Sequence, residues 1–90
     1  MRYKYKTQGT CSMQIEFDIN GDVITNVAFY GGCPGNLTAI SKVVEGKTVQ
    51  QIEDWFKGIK CGNKPTSCSD QLARAVRKAL MMLYRKCLRA

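Results

Sequence analysis

Histidine is absent from all 90 residues. Without imidazole there is no Ser-His or Cys-His pair to activate a hydrolytic nucleophile, and no zinc site that mixes histidine with cysteine. Long apolar runs are missing too. None approaches the roughly 20 residues that a membrane-crossing helix needs, and the opening Met1-Arg2-Tyr3-Lys4-Tyr5 lacks the apolar stretch of a secretion signal. A cytoplasmic protein is expected. Acidic residues are scarce, seven Asp and Glu against 14 Lys and Arg, which leaves a net charge of +7. From Leu72 to Ala90 there is no acid, while Arg74, Arg77, Lys78, Arg85, Lys86 and Arg89 all fall there. Such a run is either a solvated helix face whose late cations suit the negative end of the helix dipole, or a surface that attracts phosphates. The remaining composition, 44% hydrophobic and 23% charged, is that of a folded chain and excludes disorder. Residues 1–90 are long enough for one domain with one modest core.

Alternation from Met13 through Ile15, Phe17 and Ile19 predicts a half-buried strand, with Ser12, Gln14, Glu16 and Asp18 toward water. Asn20-Gly21-Asp22 is a turn, and Val23, Thr25, Val27 and Phe29 continue on one face of a second strand. A three-residue loop keeps both apolar sets on one side, so Ile19 should face Val23, Ile15 should face Val27 and Cys11 should face Gly31. An earlier strand over 3–7 adds Tyr3 and Tyr5. Asn36 is a good N-cap for a helix bearing Leu37, Ile40, Val43 and Val44, which Gly46 ends. Thr48 with Gln51 reads as a capping box for a short helix carrying Val49, Ile52 and Phe56, with Trp55 packed alongside and Gly58 as the stop. The last helix has the stripe Leu72, Val76, Leu80, Leu83 and Cys87. Strands followed by helices predict an α+β domain, a small antiparallel three-stranded sheet with helices packed on one face.

What the chain has in unusual supply is cysteine, five residues in 90. A reducing cytosol disfavours structural disulfides and the count is odd, so thiolate chemistry leads. Cys87 continues an apolar stripe and is assigned to packing. Cys11, Cys33, Cys61 and Cys68 lie off such stripes or at element ends. Cys33 and Cys68 stand at helix starts, where unpaired N–H groups favour the thiolate. Glycines at 31, 32, 35 and 62 let backbone approach a bound ion closely. Soft sulfur ligands select zinc, cuprous copper or iron-sulfur clusters. No C-x-x-C pair occurs, and the separations match no standard zinc finger; the competing reading is that these cysteines are small buried hydrophobes.

The segment Thr66-Ser67-Cys68-Ser69-Asp70-Gln71-Leu72-Ala73 resembles the motif that names the TSCPD domain family. Gly9-Thr10-Cys11-Ser12, Gly31-Gly32-Cys33-Pro34-Gly35-Asn36 and Gly58-Ile59-Lys60-Cys61-Gly62 are similar to its other blocks. The motif has Pro where this chain has Ser69. With Pro at the first helical position, Cys68 would be the N-cap. The family includes small stand-alone proteins and a C-terminal domain of adenosylcobalamin-dependent ribonucleotide reductases, so the resemblance implies a link to deoxynucleotide synthesis and a reductase as partner. A more distant similarity, to IscU-type iron-sulfur scaffolds, rests on a hairpin leading to Gly32-Cys33, the helix end Val44-Glu45-Gly46-Lys47-Thr48, and Cys68-Ser69 opening the terminal helix. It implies an IscU-like fold in which Cys33 and Cys68 match two scaffold cysteines and Cys11 lies near the first. The scaffold's Gly-Asp after its first cysteine is absent here, Ser67 stands where its histidine precedes the last one, and Cys61 could supply the replacement ligand.

Three functions are therefore expected in order. The first is a domain that holds zinc or an iron-sulfur cluster on Cys11, Cys33, Cys61 and Cys68, with or beside a ribonucleotide reductase or another iron-sulfur or redox protein. The second is a dithiol redox component that cycles Cys33 and Cys68. The third is a basic nucleotide or nucleic-acid module using the terminal helix, with Tyr84 for stacking. Ribonucleotide reduction by this chain alone is not expected, because a sheltered substrate pocket of roughly several hundred Å³ exceeds so small a core.

Overall fold

The computed structural model describes residues 1–7, 12–31, 34–60 and 66–89. Strands β1 (Arg2–Lys6), β2 (Ser12–Asn20) and β3 (Val23–Gly31) are followed by helix α1 (Pro34–Val44), strand β4 (Lys47–Thr48), helix α2 (Val49–Phe56) and helix α3 (Cys68–Arg89). The sheet is antiparallel with order β1-β2-β3-β4. It therefore has four strands where three were expected. Gly46, at φ +76°, turns the chain back after α1, its N–H bonds the Ile24 carbonyl at 2.8 Å, and Val23 and Ile24 pair with Thr48 and Lys47. Two residues of strand carry no periodicity by which a sequence could announce them.

The hairpin register also departs from expectation. Its loop is Gly21-Asp22, with Asn20 opposite Val23 and Ile19 opposite Ile24. Gly21 takes φ +61° and Asp22 does not, as a type II′ turn requires. Ile24, not Thr25, is thus the buried residue facing the core. The pairing then slips between Asp18↔Thr25 and Glu16↔Ala28, so two residues of β3, Asn26 and Val27, oppose Phe17 alone. This is a β-bulge. It restores parity, and Phe29 lies opposite Ile15 on the core face. A second shift, between Gln14↔Tyr30 and Ser12↔Gly31, then sets Gly31 opposite Ser12, one residue along from the expected Cys11.

Asn26 sits at φ +53° in the bulge and is held there from three sides. Its N–H donates to Glu45 Oε1 at 2.8 Å, its Nδ2 to Asp18 Oδ2 at 2.8 Å, and its carbonyl accepts from Arg2 at 2.8 Å. β1 pairs Tyr3 with Phe17 and Tyr5 with Ile15, as the alternation predicted, with the Tyr3 and Phe17 rings 5.5 Å apart.

α1 begins at Pro34, so Asn36 lies within the helix and is not its cap. Proline suits the first helical position because its missing N–H would have no partner there and its φ is already helical. Thr48 caps α2 with both reciprocal bonds of the capping box in place. Trp55 is exposed, touching Phe56 edge-on at 6.3 Å. Ile15, Phe17, Ile19 and Ile24 from the sheet, Val44, Val49 and Ile52 from α1 and α2, and Leu72, Val76 and three alanines of α3 form one core. The small side chains of Ala73, Ala75 and Ala79 are fully buried, which brings α3 close to its neighbours.

Candidate functional site

Helix α3 starts where it does because Ser67 caps it. Ser67 Oγ accepts the Asp70 N–H at 3.1 Å and the Ser67 carbonyl accepts the Gln71 N–H at 2.9 Å. Cys68 is therefore the first helical residue, not the N-cap, and Ser69 is the second. Ser69 Oγ lies 3.0 Å from Ser67 Oγ. A proline in its place would still fall in the first turn, where no intrahelical N–H bond is lost. Cys68 is partly exposed, on the rim of a buried polar cluster.

Asp70 is the centre of that cluster and is fully buried. Its Oδ1 accepts the Gly58 N–H at 2.7 Å, and its Oδ2 accepts the Thr66 hydroxyl and, at 3.0 Å, the Arg74 Nε–H. Gln71 Nε2 donates to Thr66 Oγ1 at 3.1 Å. Among the described residues no buried side-chain polar atom lacks a partner. Burial pushes the Asp70 carboxyl up, but the bonds from Thr66, Gly58 and Arg74 together outweigh it and hold the group below the ordinary carboxylate range. One carboxylate thus fastens Gly58, two residues past α2, the residue before the Ser67 cap, and the first two turns of α3. Gly58 and Thr66 are the two sides of the segment that contains Cys61.

The sequence pattern pointed to Cys68 and passed over Asp70. A signal was present: Ser67-x-x-Asp70 has capping-box spacing. Of the other cysteines proposed as ligands, Cys11, Cys33 and Cys61 lie outside the described residues, as does the side chain of Cys87. Among the described residues no three Cys, Asp or Glu side chains form a metal-binding group.

The basic run on α3 is partly neutralised from within. Arg77 Nε donates to Glu53 Oε2 at 3.0 Å and its Nη2 donates to Oε1, a forked pair joining α3 to α2. The Arg77 bond holds the Glu53 carboxyl below its usual range against the opposing effect of burial. Arg74 is engaged by Asp70, and Lys78 Nζ lies 5.9 Å above the Tyr5 ring. These three cations, which the sequence left open to phosphate, have partners inside the molecule.

No helix among the described residues is long and apolar enough to cross a membrane. No curated protein and no solved structure matches the chain. A family model described as the TSCPD domain matches residues 1–80, from β1 through the buried part of α3 and across the Ser67 cap. The chain belongs to the TSCPD domain family.

Proposed function

We propose that this chain is a cytoplasmic cysteine-rich domain that holds zinc or an iron-sulfur cluster through the thiolates of Cys11, Cys33, Cys61 and Cys68, in association with ribonucleotide reduction. The observation that carries the reading is the Asp70 clamp. A fully buried carboxylate spent on Gly58 and Thr66 fixes both sides of the segment that contains Cys61, and the same carboxylate fixes the helix start at Cys68. A ligand set benefits from such rigidity, because each donor then loses little freedom on binding. The last pair of the β2–β3 ladder, Ser12 with Gly31, adds support: Cys11 precedes Ser12 in the chain and Cys33 follows Gly31 by two. The order of hairpin, Gly-Cys, helix and Cys-led terminal helix also fits an IscU-like arrangement. Zinc on four thiolates would cross-link the segments that carry them, and an iron-sulfur cluster would add electron transfer.

The test is elemental analysis and an optical spectrum of protein purified without oxygen. About one zinc or one cluster per chain is expected, as four thiolates supply one site, with loss on Cys33→Ser or Cys68→Ser. Protein that is metal-free and stays so after reconstitution would overturn the reading. A Cys33–Cys68 disulfide formed reversibly in that protein would establish the dithiol alternative instead. The phosphate-binding alternative has less support, given the ion pairs of Arg74 and Arg77.

A further inference from the structure

The far half of α3 bears features that the thiolate reading does not use. Its 22 residues span about 33 Å at 1.5 Å per residue, against molecular extents of 43 × 23 × 22 Å. The last fully buried side chain is Ala79. Beyond it Met81 is 51% exposed, Met82 41% and Tyr84 65%. These are not scattered. Leu80, Met81, Leu83 and Tyr84 line an apolar groove of about 640 Å³ that reaches the β2–β3 turn at Gly21. A second trough of about 380 Å³ runs along the other flank of Met81, past Met82, Lys57 and Lys78. Arg77 and Arg85 border both. Among the described residues Glu53 is the only carboxylate in either lining, and Arg77 already holds it. Lys57, Lys78 and Arg85 form no ion pair with the described residues.

We propose that this face docks an acidic amphipathic helix of another protein, its apolar side chains in the groove and its carboxylates against Lys57, Lys78 and Arg85. Helix-in-groove recognition uses anchors at i, i+3, i+4 and i+7, which a groove along a helix accepts. Charge complementarity selects the occupant. A second copy is disfavoured because a two-fold contact sets the same cations against themselves, on a chain of net charge +7. A lipid bilayer is flat, whereas this surface is grooved as far as the turn at Gly21. Single-stranded nucleic acid needs several stacking rings, and among the described residues Tyr84 is the one aromatic in the two linings. Met81, Tyr84 and Arg85 lie past residue 80, where the family match ends, so the docking face does not depend on the thiolate reading.

The full chain can be titrated, by fluorescence anisotropy, into a labelled synthetic helix of about four turns that carries leucine at helical spacing and glutamate elsewhere. Two controls replace every glutamate with glutamine or every leucine with alanine. The glutamate-leucine peptide should bind, and either control should bind at least about tenfold more weakly, a loss of about 1.4 kcal/mol. Met81→Glu and the pair Lys78→Glu with Arg85→Glu should each weaken binding about tenfold with unchanged circular dichroism. Metal content should not move in these variants, which separates this result from the thiol site. Absence of peptide binding, equal binding of the glutamine control, or tighter competing binding by an oligothymidine or by phosphatidylserine vesicles would each overturn the proposal.

Discussion

Asp70 concentrates more structural consequence than any other polar side chain described. Removing its carboxylate leaves the Gly58 N–H and the buried Thr66 hydroxyl without their acceptor, and an unsatisfied buried group costs about 1–3 kcal/mol. Asp70→Ala should therefore lower stability by about 2–4 kcal/mol in urea unfolding; a loss under about 0.5 kcal/mol, the scale of a neutral surface change, would show the cluster to be dispensable. Its pH dependence has a defined sign. The folded-state carboxyl is depressed, so its contribution is complete above the unfolded value of about 3.9 and is lost as pH falls through the lower folded value. Melting temperature should drop on acidification below about pH 4, and Asp70→Asn should flatten that limb. An unchanged limb in the variant would move the acid sensitivity to Glu53 or Asp18, both also depressed. The Ser67–Asp70 spacing carried a signal for the cap, but the expected cap lay one residue late, at Cys68. The bond to Gly58, 12 residues away, left no local trace, because only the folded chain brings the two together.

Local rules read several elements well, although the cap expected at Asn36 gave way to a start at Pro34. The Thr48–Gln51 box, the stops at Gly46 and Gly58, and the Tyr3–Tyr5 alternation all appear as the sequence indicated. They misread the hairpin because two rules competed: turn chemistry favoured a two-residue loop, face alternation a three-residue one, and the bulge at Asn26 satisfies both. Asn26→Val should be clearly destabilising, by about 1–3 kcal/mol, since a branched residue at φ +53° is strained. Asn26→Gly, which relieves φ but forfeits the bond to Asp18, should cost about 1 kcal/mol or less. Urea midpoints of the two variants in the reverse order would mean that the bulge is not fixed by φ. Between α2 and α3, a double-mutant cycle on Glu53 and Arg77 should give a coupling of about 1 kcal/mol that shrinks with salt, Arg77 being only partly buried.

The molecule as a whole divides at Ala79. Before it, α3 is core; after it, among the residues whose side chains are described, only half-buried Leu80 and Leu83 still pack against the sheet and helices. Removing residues 84–90 should therefore shift the melting temperature by no more than about 4–8 °C, the scale of a 1 kcal/mol change in a domain of this size. The truncation also removes Cys87, so metal content that persists in it would show that this cysteine is not a ligand. At this scale the α+β class was legible, as were the core positions Ile15, Phe17 and Ile19 of β2 and Leu72 and Val76 of α3, whereas Val43 of the expected α1 stripe is exposed. The burial of three alanines was not, because alanine is too weakly apolar to mark a face.

The sheet also governs how the chain behaves beside copies of itself. β4 covers only Val23 and Ile24 of the nine-residue β3, which could leave a row of backbone groups open to a neighbouring strand. Glu45 takes the Asn26 N–H and α1 lies along the rest of β3. At the opposite edge β1 exposes Arg2, Lys4 and Lys6 in alternation, a repulsive fringe against any like strand. Both margins are thus guarded, one by cover and one by charge, and resistance to fibril growth follows without a closed barrel. Threonine at positions 4 and 6 should erode that resistance first, visible as earlier light scattering at high protein concentration while the melting temperature holds.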